Sequence, residues 1–209
     1  MNIIKLLLLV VFFQSCSFGE KELVFNKEIE YFDRDFISHF PKKVPIEYSQ
    51  DVVSPNVRNS HPHVWLKFYI DETRLNKLKD SLNEVAIAKY RTDDSCLLVI
   101  DKHLTKTNWY KIVKTKRMPK KINYNYRPCH DNKYPVPNFY LSDWSETTKN
   151  PTQLDGYKLF LLDAKSGIHM DSTKLPNGLY TPKGWEHGYS KGIAINEKTN
   201  VVIFWADIW

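Results

Sequence analysis

Apolar positions between Lys27 and Phe40 recur at three and four residues: Ile29, Phe32, Phe36, Ile37 and Phe40 fall on one side of a helical wheel. A first helix is expected there, ended by Pro41, whose ring and missing N–H stop a helix. Pro45, Pro55 and Pro62 then mark a loop, and Val64 to Ile70 is a run of strand length interrupted only by Lys67. Asp71 stands as an N-cap before Leu75, Leu78, Leu82, Val85, Ala86 and Tyr90, which predicts a second, clearer helix running through Lys89. Cys96 to Ile100 reads as a short buried strand, and Trp109 to Lys121 as a strand that turns into a basic loop.

From Lys121 to Gln153 no period is sustained and prolines recur, so this stretch predicts a long surface excursion. Tyr157 to Asp163 is a strand by its apolar run, followed by turns at Gly167, Gly178, Gly184 and Gly188. The chain closes in a hairpin, Gly192 to Asn196 and Asn200 to Trp209, joined through Glu197, Lys198 and Thr199. On its second arm both alternating sets are apolar: Val201, Ile203 and Trp205, and Val202, Phe204 and Ala206. A strand of that kind is covered on both faces and belongs inside a sheet. The expected architecture is α+β, a mainly antiparallel sheet with two principal helices and a C-terminal hairpin ending in a buried strand.

A chain with 42% hydrophobic and 14% aromatic residues buries enough apolar surface to offset its conformational entropy, so disorder is excluded. The first residues follow a different logic. Lys5, an apolar run from Leu6 to Phe13, and then Gln14, Ser15 and Cys16 read as a signal peptide, because eight apolar residues are well short of the roughly 20 that span a bilayer. Cys16 directly after a small residue resembles the bacterial lipoprotein signal class. That resemblance implies cleavage before Cys16 and a diacylglycerol on its thiol. Phe13 and Gln14 depart from the commonest lipobox, a looseness familiar in Bacteroidetes-like lipoproteins.

The resemblance covers the first twenty or so residues and leaves the domain behind them unrecognised. It implies residues 1–15 as the signal peptide; residues 16–21 then read as a short tether, and the length of 22–209 suggests one domain. The resemblance also implies a cell-envelope location, lipid-anchored to a bacterial membrane, with the domain in the periplasm or on the cell surface.

Export bears on the two cysteines that remain. Either Cys96 and Cys129 form a disulfide, which an oxidising compartment permits, or Cys96 is a core residue and Cys129 a free thiol. In the second case Cys129-His130-Asp131 holds the residue types of a thiolate nucleophile, although such partners normally come from separate segments.

Four further features carry candidate chemistry. His61 and His63 flank a proline on extended backbone and project to one side, as two ligands of a metal would, but the sequence places no third ligand, so no metal site is expected and a surface loop with two solvated histidines is the favoured reading. His169 and Asp171, with Trp185, Glu186, His187 and Tyr189, form a candidate binding loop between glycines. Through His187, Glu186 and His169 the same loop allows a second reading, a hydrolase of envelope glycans or peptides. Lys111, Lys114, Lys116, Arg117, Lys120 and Lys121, with Tyr124 and Tyr126, form a basic cluster on a chain of formal net charge +6. In an exported protein it is suited to anionic headgroups or an acidic partner rather than nucleic acid, or is a solvated face.

No glycine-rich phosphate loop, G-x-S-x-G, H-E-x-x-H or paired C-x-x-C occurs, so no cofactor is expected and the catalytic residues stay unassigned. The function expected is a non-enzymatic binding domain on the membrane, for an envelope protein or polymer. An inhibitor or immunity-type factor is one form of it.

Overall fold

The computed structural model describes residues 20–24, 27–58, 60–100, 128–139, 152–175 and 184–209. The signal peptide, Cys16, the basic cluster at Lys111–Lys121 and the expected strand from Trp109 lie outside these residues.

In chain order the described elements are β1 (Glu20–Glu22), β2 (Lys43–Pro45), β3 (Tyr48–Val53), β4 (His63–Tyr69), α1 (Glu72–Val85), β5 (Ala88–Arg91), β6 (Val99–Ile100), β7 (Val136–Pro137), β8 (Lys158–Ser166), β9 (Gly188–Asn196) and β10 (Val201–Ile208). The main sheet runs β3-β4-β10-β9-β8-β5, antiparallel at every pairing. β1 pairs antiparallel with β2, and β6 pairs parallel with β7. The protein is α+β.

β10 sits third in the sheet and all eight of its residues are buried. Alternation sends Val202, Phe204, Ala206 and Ile208 to one face, with Val64, Leu66, Phe68, Ile193 and Ile195 beside them. Leu75 and Leu82 of α1, with Phe32 and Phe40, cover that face. Val201, Ile203 and Trp205 go to the other face with Trp65, Ala194, Leu159 and Leu161. There the cover is a layer of loops that contributes Leu97, Val136, Phe139, Leu154 and Tyr157. A Cβ on Gly192 would collide with the Trp205 ring and the Phe160 carbonyl, so glycine is what lets the indole lie across β9.

α1 begins where its cap predicts: Asp71 Oδ1 accepts from the Arg74 N–H at 3.0 Å. It stops at Val85, because Ala86 turns extended at φ −69 and ψ 127. Residues 88–91 leave the helical path and pair with β8, so Tyr90 is a strand residue in the second core.

The first expected helix does not form as an α-helix. Lys27–Tyr31 is a 3-10 turn, and the chain reaches Phe40 through further turns closed by i to i+3 bonds, Phe36 N–H to the Asp33 carbonyl at 3.1 Å and Phe40 N–H to the Ile37 carbonyl at 3.1 Å. Asp33 Oδ1 accepts from the Asp35 N–H at 2.8 Å, a local bond that competes with helical pairing. The spacing of Phe32 and Phe40 still delivers both rings to the core. So one α-helix, not two, occurs among the described residues. The stretch read as a proline loop after Pro41 holds β2 and β3, and Glu20 and Lys21, read as tether, already pair with β2.

Cys96 and Cys129 are joined as a disulfide with Cα atoms 5.7 Å apart, which ties the loop layer to the segment leading into β6. Cys129 is therefore no nucleophile in this state. Among the described residues no helix is long and apolar enough to cross a membrane.

Candidate functional site

The site begins with an irregularity in β8. Leu161 pairs with Gly192 and Asp163 with Lys191, so Leu162 is an extra residue, a β-bulge. Before the bulge Phe160 faces the α1 side and Leu161 the loop side. After it Leu162 packs into the first core while Ala164 packs into the second. The bulge thus turns Asp163 and Lys165 to the face that carries Tyr189 and Lys191 of β9.

These side chains line a groove of about 590 Å³, together with the turn through Tyr31, Asp35 and Phe36, with Pro55 and Asn56, and with His169, Met170, Asp171 and Lys174. Tyr189 donates its hydroxyl to Asp163 Oδ2 at 2.6 Å, and burial together with that carboxylate pushes the phenol well above its usual range. His169 meets the Tyr189 ring edge-on, centroids 4.6 Å apart, and a ring nitrogen lies 3.1 Å from the Ser166 carbonyl oxygen. Asp171 accepts from the N–H and hydroxyl of Thr173, which hold its carboxyl below the ordinary value. Lys191 donates to the Asp35 carbonyl at 2.9 Å, and Lys174 bonds to Asn56. The N-terminal turn is thereby fastened to the sheet as one wall of the groove.

His39 fastens the same turn more deeply. Its Nε2 lies 2.9 Å from the Trp205 carbonyl oxygen, and its ring packs on Phe40. Burial lowers its pKa to about 4, with Lys191 adding in the same direction and backbone carbonyls opposing.

The six residues of the expected binding loop divide. His169, Asp171 and Tyr189 reach the groove, while Trp185, Glu186 and His187 are not among its lining. Trp185 packs on Trp209, whose indole N–H donates to the Trp185 carbonyl at 2.9 Å. Glu186 accepts from the Gly184 N–H at 2.9 Å, and His187 Nδ1 is buried with no hydrogen bond among the described residues. Asp163, Lys165, Lys191 and the wall from Tyr31 to Phe36 were not identified from sequence, because a bulge and a distant turn bring them together. The signal the sequence offered was Tyr31, an aromatic outside the apolar spacing of residues 27–40, which the structure leaves 58% exposed.

His63 turns both ring nitrogens toward protein oxygens. His63 Nδ1 lies 3.0 Å from the His61 carbonyl and Nε2 3.2 Å from Asp51 Oδ2, with the ring stacked on Trp65. Among the described residues no cluster of three His, Cys, Asp or Glu is placed to hold a metal ion. Asp207, between Ser190 and His63 in register, accepts from the Trp65 indole at 2.5 Å. This row is shut in the core, Ser190 and Asp207 both at 0% exposure, so it offers no route to a substrate.

A second cleft, of about 530 Å³, lies between α1, β5 and the start of β8. Its cations are committed: Lys79 and Lys158 both hold Glu197 and lower its pKa, and Arg91 holds Asp93. The groove beside Tyr189, where Lys165 stands exposed, is the better candidate. Comparison with family models, with curated proteins and with solved structures finds no match.

Proposed function

We propose that the protein is a membrane-anchored envelope lipoprotein, acylated on Cys16, whose domain binds an envelope protein or polymer in the groove beside Tyr189. The observation that carries the binding role is that groove: about 590 Å³, walled by elements far apart in sequence, and mixing exposed aromatic, cationic and carboxylate groups around a bulged strand. Mixed lining of this kind suits a polar partner with both charged and apolar parts. An inhibitor or immunity-type factor that meets its target at the membrane is one form of this role.

Hydrolysis through His187, Glu186 and His169 is the weaker reading, since of the three only His169 lines the groove. The test is capture from envelope extracts with the lipidated protein, beside Lys165→Glu and Tyr31→Ala variants that keep the wild-type melting temperature. Capture of a component by wild type and its loss in both variants is the expected result. Equal capture by all three, or none above an unlipidated control, refutes the groove as the binding surface.

A further inference from the structure

We infer that the end of the main sheet formed by the β2–β3 turn, the close of β4 and the β9–β10 turn rests on the membrane that holds Cys16, and that the groove opens away from it. This rests on the acylation of Cys16 proposed above. Glu20 is the fourth residue after Cys16, and at ~3.6 Å per residue its Cα lies within about 14 Å of the anchor whatever path the chain takes. Glu20 is fixed to the domain, paired in register with Pro45 and ion-paired to Arg74.

Apolar, aromatic and cationic groups stand at that end, beside the exposed Glu47 and the Glu197 held by Lys79 and Lys158. Ile46, the residue after Pro45, is 62% exposed, and so is Tyr69, which stands one position beyond the Tyr48–Phe68 pair at the same end of the sheet. The Lys21 ammonium sits 4.7 Å over the Tyr48 ring, and Lys198 is exposed on the β9–β10 turn, close to Tyr69 through the Tyr69–Val201 pair. An exposed aliphatic side chain enters the acyl boundary, a tyrosine lies at the headgroups, and lysines meet phosphate.

The occupant is the bilayer because the leash is short. A folded domain of about 100 residues has a radius of gyration of about 13 Å, so its diameter exceeds the leash and no such domain fits between this end and the anchor. The groove-lining residues Lys165, Tyr189 and Ile208 lie at the opposite ends of their strands, about 23 Å away along the eight residues of β10 at ~3.3 Å each.

The test uses the full acylated chain in vesicles of phosphatidylcholine and phosphatidylglycerol that contain a nitroxide lipid. A fluorophore is placed on Ile46→Cys, Tyr69→Cys or Lys165→Cys, with Lys198→Cys as the replacement should either of the first two fail to fold. Loss of fluorescence to the quencher at positions 46 and 69, with none at 165, is expected. Quenching at 165 equal to that at 46, or none at any position in protein whose intact mass carries the acyl groups, overturns the orientation. A mass without acyl groups overturns the anchor itself, so the two failures are told apart.

Discussion

A single histidine illustrates how much one residue carries here. His39 is largely buried against Phe40 and the sheet, with its pKa held at about 4 against an ordinary 6.5. The lowered value means the folded state favours neutral imidazole, so its contribution is full above pH 6.5 and is lost as pH falls from 6.5 through 4. At 1.36 kcal/mol per pKa unit the loss is about 3 kcal/mol. Urea melts at pH 7.5, 5.5 and 4.5 should therefore show a fall that is absent in His39→Gln, measured against its own value at pH 7.5. An equal fall in the variant would assign the pH dependence to other groups. In the folded protein His39 stays neutral until the pH nears 4, so the turn it fastens should hold until then, and binding should weaken only as that value is approached.

Elements assemble around unequal partners. The α1 side of the sheet is covered by regular and turn structure with its own apolar spacing, whereas the opposite side relies on loops held by one covalent link. Cys96 and Cys129 are 33 residues apart, and closing a loop of that length in the unfolded chain costs entropy equivalent to about 3–4 kcal/mol. Replacing both cysteines by serine is expected to lower stability by that amount in denaturant melts, with exchange of the Phe139 and Leu154 amides accelerating before those of β10. Unchanged stability would mean that the loop layer holds itself in place.

For the whole molecule the decisive element is β10. It pairs with β4 and β9, all eight of its residues are buried, and they feed both cores, so its loss splits the sheet between two neighbours and exposes both faces. Removal of residues 201–209 should leave no cooperative unfolding transition in a thermal melt. A truncated chain that still melts cooperatively would show that β9 and β4 can close the sheet without it.

The sequence by itself determined β10 and the start of α1, and the reason is local. Apolar residues on both alternating sets of Val201–Ala206 leave only an interior position, and Asp71 caps its helix within three residues. It also supplied the oxidising-compartment argument for pairing Cys96 with Cys129, but not a choice between that pairing and a free thiol, since spacing does not fix distance in space. Periodicity alone misread residues 27–40, because burial of Phe32 and Phe40 requires their direction and not a helix, and Asp33 bonds its own backbone instead.

The groove was legible only in part. His169, Asp171 and Tyr189 lie near one another in the chain and were found together. Asp163 and Lys165 reach the site through the bulge at Leu162, and Asp35 through the bond from Lys191. One extra residue in β8 decides which face carries those charges, and only pairing with β9 reveals that it is extra. Tertiary structure alone made that decision, because strand register is a property of two chains of residues together and not of either one.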